Sequence, residues 1–165
     1  MILALAVVAA WGFLSLRRRN VDVAPPAHSL RPAPNIDMAE LDGRRLNLAQ
    51  WRGKVILVNF WATWCAACRD EIPFLNRLST KYRRRGLRVV GISLDDRPQD
   101  VSSFDRKFHM NYPVVLGTAE IAEKFGGVLG LPMSFLIGRD GRVKAKFPGE
   151  LEPETFTPRL RWLLR

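Results

Sequence analysis

The sequence predicts an α/β domain built on a mixed central sheet, parallel where it begins and antiparallel at one edge, with helices on both faces. Three observations carry this expectation. Two short apolar runs, VILVNF at residues 55–60 and LRVVGISL at 87–94, have the continuous hydrophobic character of strands buried on both sides. A helical spacing of apolar residues follows each run. Near the C-terminus Asp140-Gly141 stands between two further apolar runs, which is hairpin turn chemistry. Strand-helix alternation first and a hairpin last give the mixed sheet. With 165 residues the chain has room for one such domain and its core, but not for two.

Taken in order, residues 1–16 (MILALAVVAAWGFLSL) carry no charge and as a helix would extend about 24 Å against an apolar bilayer thickness of about 30 Å. Snorkelling of Arg17, Arg18 and Arg19 absorbs the mismatch, so residues 1–19 are expected to form a membrane anchor. A cleaved signal peptide is the alternative, although it would lack a basic leading region and has only Ala9-Ala10 as a cleavage site. Residues 20–34 contain Pro25, Pro26, Pro32 and Pro34 and read as an extended spacer, in which His28 is a solvated side chain. The folded domain is expected over residues 35–165.

Within it, residues 36–46 hold Asp42-Gly43 between two short apolar-containing runs, an N-terminal β-hairpin extension. After the strand at 55–60, Ile72, Phe74, Leu75, Leu78 and Tyr82 recur at helical spacing until Arg85-Gly86. Following the strand at 87–94, residues 99–109 form a helix with Val101, Phe104 and Phe108 on its apolar side. Residues 113–116 give a brief strand, and 119–125 a helix closed by Gly126-Gly127. The hairpin strands span 133–137 and 143–147, and a final amphipathic helix spans 153–164. No internal repeat is present.

The formal charge is +10, yet the basic residues are dispersed and not interleaved with aromatics that would stack bases, so nucleic acid is not an expected partner. Residues 17–19 suit anionic headgroups, and residues 83–85 suit the negative end of a helix. The positive-inside rule applied to residues 17–19 would leave the domain in the cytoplasm. The expectation adopted here is a membrane-anchored, extracytoplasmic (periplasmic-side) domain, which requires basic residues upstream of Met1.

The two cysteines, Cys65 and Cys68, are three positions apart and cannot staple distant parts of the fold. Cys65 falls just past a buried strand, at the start of a helix. There the unpaired amides and the positive end of the dipole favour thiolate, which makes Cys65 the candidate nucleophile. Cys68 lies one turn deeper, placed to resolve a mixed disulfide. Zinc would need four ligands, but there is no second CxxC and His109 belongs to another predicted helix. Arg69, where histidine would stand, excludes covalent haem attachment. Two inert buried thiols remain the competing reading. No cofactor beyond a redox-active Cys65-Cys68 disulfide, and no metal, is expected.

The segment FWATWCAACRDEIP resembles the active-site region of the TlpA/ResA branch of the thioredoxin superfamily, which includes membrane-anchored reductases of cytochrome c maturation. The similarity continues through Gly53-Lys54, VVGISLDD, YPVVLG and GLPMSFLIGRDGRV, covering roughly residues 33–150. It implies a thioredoxin-like fold with an N-terminal hairpin and a thiol-disulfide oxidoreductase acting as a disulfide reductase. Partners so implied are disulfide-containing protein substrates and an upstream membrane dithiol that donates electrons.

The same resemblance implies roles for individual residues. Pro132 matches a cis-proline facing the dithiol, with Leu131 beside it as backbone to which a substrate chain pairs. Glu71 matches a glutamate three residues after the second cysteine, where a partly desolvated carboxylate can move protons during exchange. An acid of the first helical turn is its plainer reading. Asn59 stands where thioredoxin carries a buried aspartate, and Pro73 kinks the helix. Trp61 is expected in the core and Trp64 as a shield over the site, counted with Leu131 and Pro132 as substrate-binding. PMSF departs from the more usual PTTF and is expected to alter the surface beside Pro132. The rival functions are a thioredoxin-like copper chaperone, for which the longer cysteine spacing and a histidine ligand are missing, and a thiol peroxidase, for which the approach to a single peroxidatic cysteine is missing.

Overall fold

A computed structural model describes residues 31–165. The expected anchor at 1–19, His28 and most of the expected spacer lie outside the described residues. Among those described, no helix is long and apolar enough to cross a membrane.

Two short strands, β1 (Asp37–Ala39) and β2 (Arg45–Asn47), form the N-terminal hairpin. There follow β3 (Val55–Trp61), α1 (Ala66–Tyr82), β4 (Leu87–Ser93), α2 (Pro98–Phe108) and β5 (Val114–Leu116). The chain closes with α3 (Ala119–Lys124), β6 (Met133–Ile137), β7 (Val143–Pro148) and α4 (Pro153–Leu163). The main sheet has the order β5-β4-β3-β6-β7. Its β3–β4 and β4–β5 pairs are parallel, and its β3–β6 and β6–β7 pairs antiparallel. This is the thioredoxin-like mixed sheet with an N-terminal hairpin that the sequence predicts.

All seven residues of β3 are buried, and their alternation divides the core in two. Val55, Leu57 and Trp61 join Leu75, Leu78, Tyr82, Val101, Phe156 and Leu160 under α1, α2 and α4. Ile56, Val58 and Phe60 face the other way, to Ile36, Leu46 and Leu48 of the hairpin region and Phe125 after α3. A strand with a solvent face would need polar alternation; this one has none because both faces are covered. Asn59 is its one polar side chain.

Both sheet edges are protected at their ends. Glu40 bridges to Val115 and Leu41 N–H donates to Val114 O at 3.2 Å, so the hairpin covers β5. Pro32 bridges to Arg142 and Ala33 N–H donates to Gly141 O at 2.9 Å, so residues 31–33 run along the start of β7. The hairpin strands are shorter than the 36–46 pattern suggests, because residues 40–44 form the connecting loop around Gly43. His109 is not inside α2: it caps the helix with φ 50°. The basic run Arg83–Arg85 is a 3-10 turn extending α1, and it ends at Gly86 with φ 98°, a left-handed position that glycine adopts without strain.

Gly91, in β4, is set by packing rather than by backbone angle. A Cβ there would sit 2.9 Å from Trp61 Nε1 and 3.3 Å from Tyr112 Cε2, both buried rings. Gly91→Ala is therefore expected to lower the unfolding free energy by about 1–3 kcal/mol, the usual cost of overpacking a filled core. Urea denaturation of the oxidised protein measures this, and an unchanged midpoint would mean that the two rings yield freely.

Candidate active site

The site forms where β3 ends and α1 begins. Trp61, the last residue of β3, is 1% exposed, and Leu94 N–H donates to its carbonyl at 2.9 Å, so the parallel ladder runs to the strand's end. The chain then turns over residues 62–65, closed by Cys65 N–H donating to Ala62 O at 3.2 Å. Cys65 is the N-cap of α1, and its Sγ accepts the backbone N–H of Cys68 at 3.1 Å. One of the four amides that a helix start leaves unpaired thus ends on sulfur, where it favours thiolate.

Cys65 and Cys68 are joined in a disulfide with their Cα atoms 5.3 Å apart. Cys65 is 8% exposed and Cys68 2%, so the first sulfur is the one within reach of a partner. The reading of two inert, separate thiols gives way to a bonded pair. Among the described residues no group of three or more His, Cys, Asp or Glu is placed to hold a metal ion. His109 lies beside Asn76, whose side-chain amide donates to the His109 carbonyl at 3.2 Å. That is eight residues along α1 beyond Cys68, about 12 Å at helical rise.

Glu71 is not an acid of the first helical turn, which holds none; it lies in the second turn and is 4% exposed. Its Oε1 accepts the backbone N–H of Leu151 at 2.7 Å, and its Oε2 accepts Asn59 Nδ2 at 2.8 Å. Burial raises its pKa most, the two hydrogen bonds pull it back, and the charge of Glu150 adds a little upward, leaving it at about 7. Asn59 donates also to Ser134 Oγ at 3.0 Å, so β3, β6 and α1 meet in a buried polar cluster. Ser134 is 0% exposed, which corrects the expectation that PMSF alters the surface beside Pro132: the change faces the interior.

Leu131-Pro132 is cis. Phe60 pairs with Met133, the last register partner before Pro132, so Pro132 stands level with the end of β3. Gly149 N–H donates to the Pro132 carbonyl at 2.9 Å. Trp64, next to Cys65 in the chain, is 68% exposed, whereas Trp61 is buried in the core. Pro73 is inside α1 and gives no N–H to the carbonyl of Arg69.

Three features are not in the sequence reading. Leu129 is 97% exposed, a leucine held out on the loop before Pro132; its place between Gly127 and Gly130, just ahead of Pro132, was the available signal. The backbone of residues 128–131 makes no hydrogen bond among the described residues. Asp95 gathers Thr63 and Ser93; it lies in the VVGISLDD segment that carries the family resemblance, but nothing in that segment gives it a role.

A dithiol at a helix N-terminus on this fold defines a thiol-disulfide oxidoreductase of the thioredoxin superfamily. Comparison with known proteins agrees. The Redoxin family matches residues 29–159. Thiol-disulfide oxidoreductase ResA of Bacillus thuringiensis subsp. konkukian is 34% identical over 124 residues, 75% of this chain and 72% of that protein. ResA of Geobacillus thermodenitrificans is 32% identical over 122 residues, 74% and 70% of the two chains. Among solved structures, a thioredoxin-family thiol:disulfide interchange protein from Chlorobium tepidum superposes with TM-score 0.77 at 31% identity, covering 84% of this chain and 99% of that one. A thiol-disulfide oxidoreductase from Bacteroides fragilis gives TM-score 0.72 at 25% identity, with 81% and 99% covered. The chain belongs to the Redoxin family, within its ResA/TlpA-like members.

The Glu71 environment has a signature in stability. Its folded pKa of about 7 exceeds the ordinary value of 4.5, so the fold holds the proton more tightly than the unfolded chain does. The stability tied to this group is complete below about pH 4.5, falls as pH rises towards about 7, and is flat above. The fall amounts to about 3 kcal/mol. Glu71→Gln has one acceptor oxygen for two donors, so it is expected to be less stable at low pH but to lack this slope. Unfolding free energies from pH 4 to 8 decide it, and parallel curves for the two proteins would remove Glu71 as the buried titrating group.

Proposed function

We propose that this oxidoreductase is a membrane-anchored protein disulfide reductase, with its dithiol on the extracytoplasmic side and apocytochrome c cysteines among its substrates. The observation that carries the reading is the asymmetry of the pair: Cys65 caps the helix and is the less buried sulfur, while Cys68 lies deeper and shares its helix with Glu71. Cys65 thiolate attacks a substrate disulfide, one substrate thiolate leaves, and a mixed disulfide forms. Cys68 gives its proton to Glu71 and attacks Cys65 Sγ, releasing the second substrate thiolate and leaving the Cys65–Cys68 disulfide. An upstream membrane dithiol then returns two electrons.

Pro132, Leu131 and Trp64 are assigned to substrate binding on the family resemblance, and Leu129 adds an exposed apolar side chain on the loop leading to Pro132. A substrate segment in extended form finds unpaired backbone at residues 128–131. Ala66-Ala67 between the cysteines supplies neither charge nor imidazole to stabilise the reduced thiolate, which suits a reductant. The uncharged run of residues 1–16 followed by Arg17–Arg19 supports the anchor, and the likeness to ResA proteins supports the thiol-disulfide oxidoreductase chemistry.

Cys68→Ser is expected to accumulate covalent mixed disulfides with substrate proteins, while Cys65→Ser forms none. Non-reducing electrophoresis of native membranes reads both, and equal trapping by the two variants would refute the assigned roles. An impermeant thiol reagent that reaches Cys65 in intact cells supports the extracytoplasmic placement, and reaction only after lysis would overturn it.

A further inference from the structure

The turn that carries Cys65 is tied to the sheet by a residue outside the CxxC segment. Asp95 follows β4 and is half-buried. Its Oδ2 accepts the backbone N–H of Thr63 at 2.9 Å and the hydroxyl of Ser93 at 2.7 Å, and its Oδ1 accepts Thr63 Oγ1 at 2.6 Å. Asp95 N–H in turn donates to Ser93 Oγ at 3.1 Å, which fixes the carboxylate against its own strand. One side chain therefore holds Thr63 by both its backbone and its hydroxyl, two residues before Cys65. Charge-assisted bonds of this kind are shorter and stronger than neutral ones.

We propose that Asp95 is a positioning residue for thiol-disulfide exchange: through its bond to the Thr63 hydroxyl it fixes the 62–65 turn, and with it the place of Cys65 Sγ at the start of α1. The device matters most in the reduced protein. In the oxidised protein the disulfide already ties Cys65 to α1. Once that bond is broken, the sulfur stays over the helix N-terminus only as far as the turn before it holds still. The amide of Cys68, 3.1 Å from Sγ, then stabilises a thiolate only if Cys65 keeps its N-cap geometry. The clamp acts through Cys65 and makes no contact with substrate. The inference rests on Cys65 being the attacking thiol.

The test compares Thr63→Val and Thr63→Ser with the unaltered full chain. Valine removes the hydroxyl without changing size or charge, and Asp95 is common to all three proteins. The readout is the pH dependence of iodoacetamide alkylation of the reduced protein, with the modified cysteine located by mass spectrometry. Thr63→Val is expected to move the Cys65 midpoint upward by about half a pH unit, a roughly three-fold loss of thiolate below the midpoint, and Thr63→Ser to restore it. A Thr63→Val profile that coincides with the unaltered one, even in a protein that melts earlier, reduces Asp95 to a stabilising contact and overturns the proposal. So does a shift that serine fails to restore. If Cys68 is alkylated first in the unaltered protein, the assignment of the nucleophile itself falls and this inference falls with it; a Cys65-first result with no shift overturns the clamp alone.

Discussion

The junction between β3 and α1 has to meet two demands at once. It must end a strand that is buried on both faces, and it must begin a helix whose first amides are left without carbonyl partners. A cysteine at the N-cap answers the second demand with its sulfur, since Cys65 Sγ accepts the Cys68 amide. Because β3 is central in the sheet and fully buried, the place where it ends is fixed by packing on both sides. The reactive sulfur inherits that rigidity. The places of Cys68 and Glu71 along α1 then follow from helix spacing, and that of Pro132 just ahead of β6 from strand register, not from separate arrangements.

Glu71 shows what such a site requires of its interior. A carboxylate with so little exposure would be strongly destabilising if ionised and unpaired. Two N–H donors hold it instead, one from Leu151 and one from Asn59, and burial still leaves it titrating near neutrality. The identity of residue 59 matters here. An aspartate in its place would put a second carboxylate within hydrogen-bond distance of the first, and the two could not both ionise. An amide donates to Glu71 and to Ser134 together, so one titrating group, not a coupled pair, sits beside the dithiol. The serine of PMSF belongs to this buried cluster.

The fold was legible because its signals are local. The apolar runs of β3 and β4, the glycine after Arg83–Arg85 and Asp140-Gly141 each act within a few residues, and the elements lie where those patterns place them. The dithiol was legible for the same reason, since its chemistry follows from one strand-to-helix junction. Glu71 was only half legible. Helix spacing put it near Cys68, but its Leu151 partner is a backbone amide 80 positions away, and backbone donors leave no mark in a sequence. The Asp95 clamp spans 32 positions and Asn59–Ser134 spans 75, so both depend on strand order, which single residues do not encode. Leu129 was missed for another reason: an apolar residue is read first as core, and only its loop setting argues otherwise.

The sheet edges bear on where a substrate chain can lie. Strand addition needs unpaired backbone, and the outer strands offer little of it near their covered ends. The hairpin bridges β5 through Glu40 and Val115, and residues 31–33 bridge the start of β7 through Pro32 and Arg142. Residues 128–131 are different: they lead into Pro132, make no backbone hydrogen bond among the described residues, and carry the most exposed of the large apolar side chains. Trp64, on the turn with Cys65, is a second exposed large apolar side chain. An extended segment laid along 128–131 therefore meets both unpaired backbone and the exposed Leu129 on the loop leading into Pro132, features that suit a polypeptide more than a small disulfide.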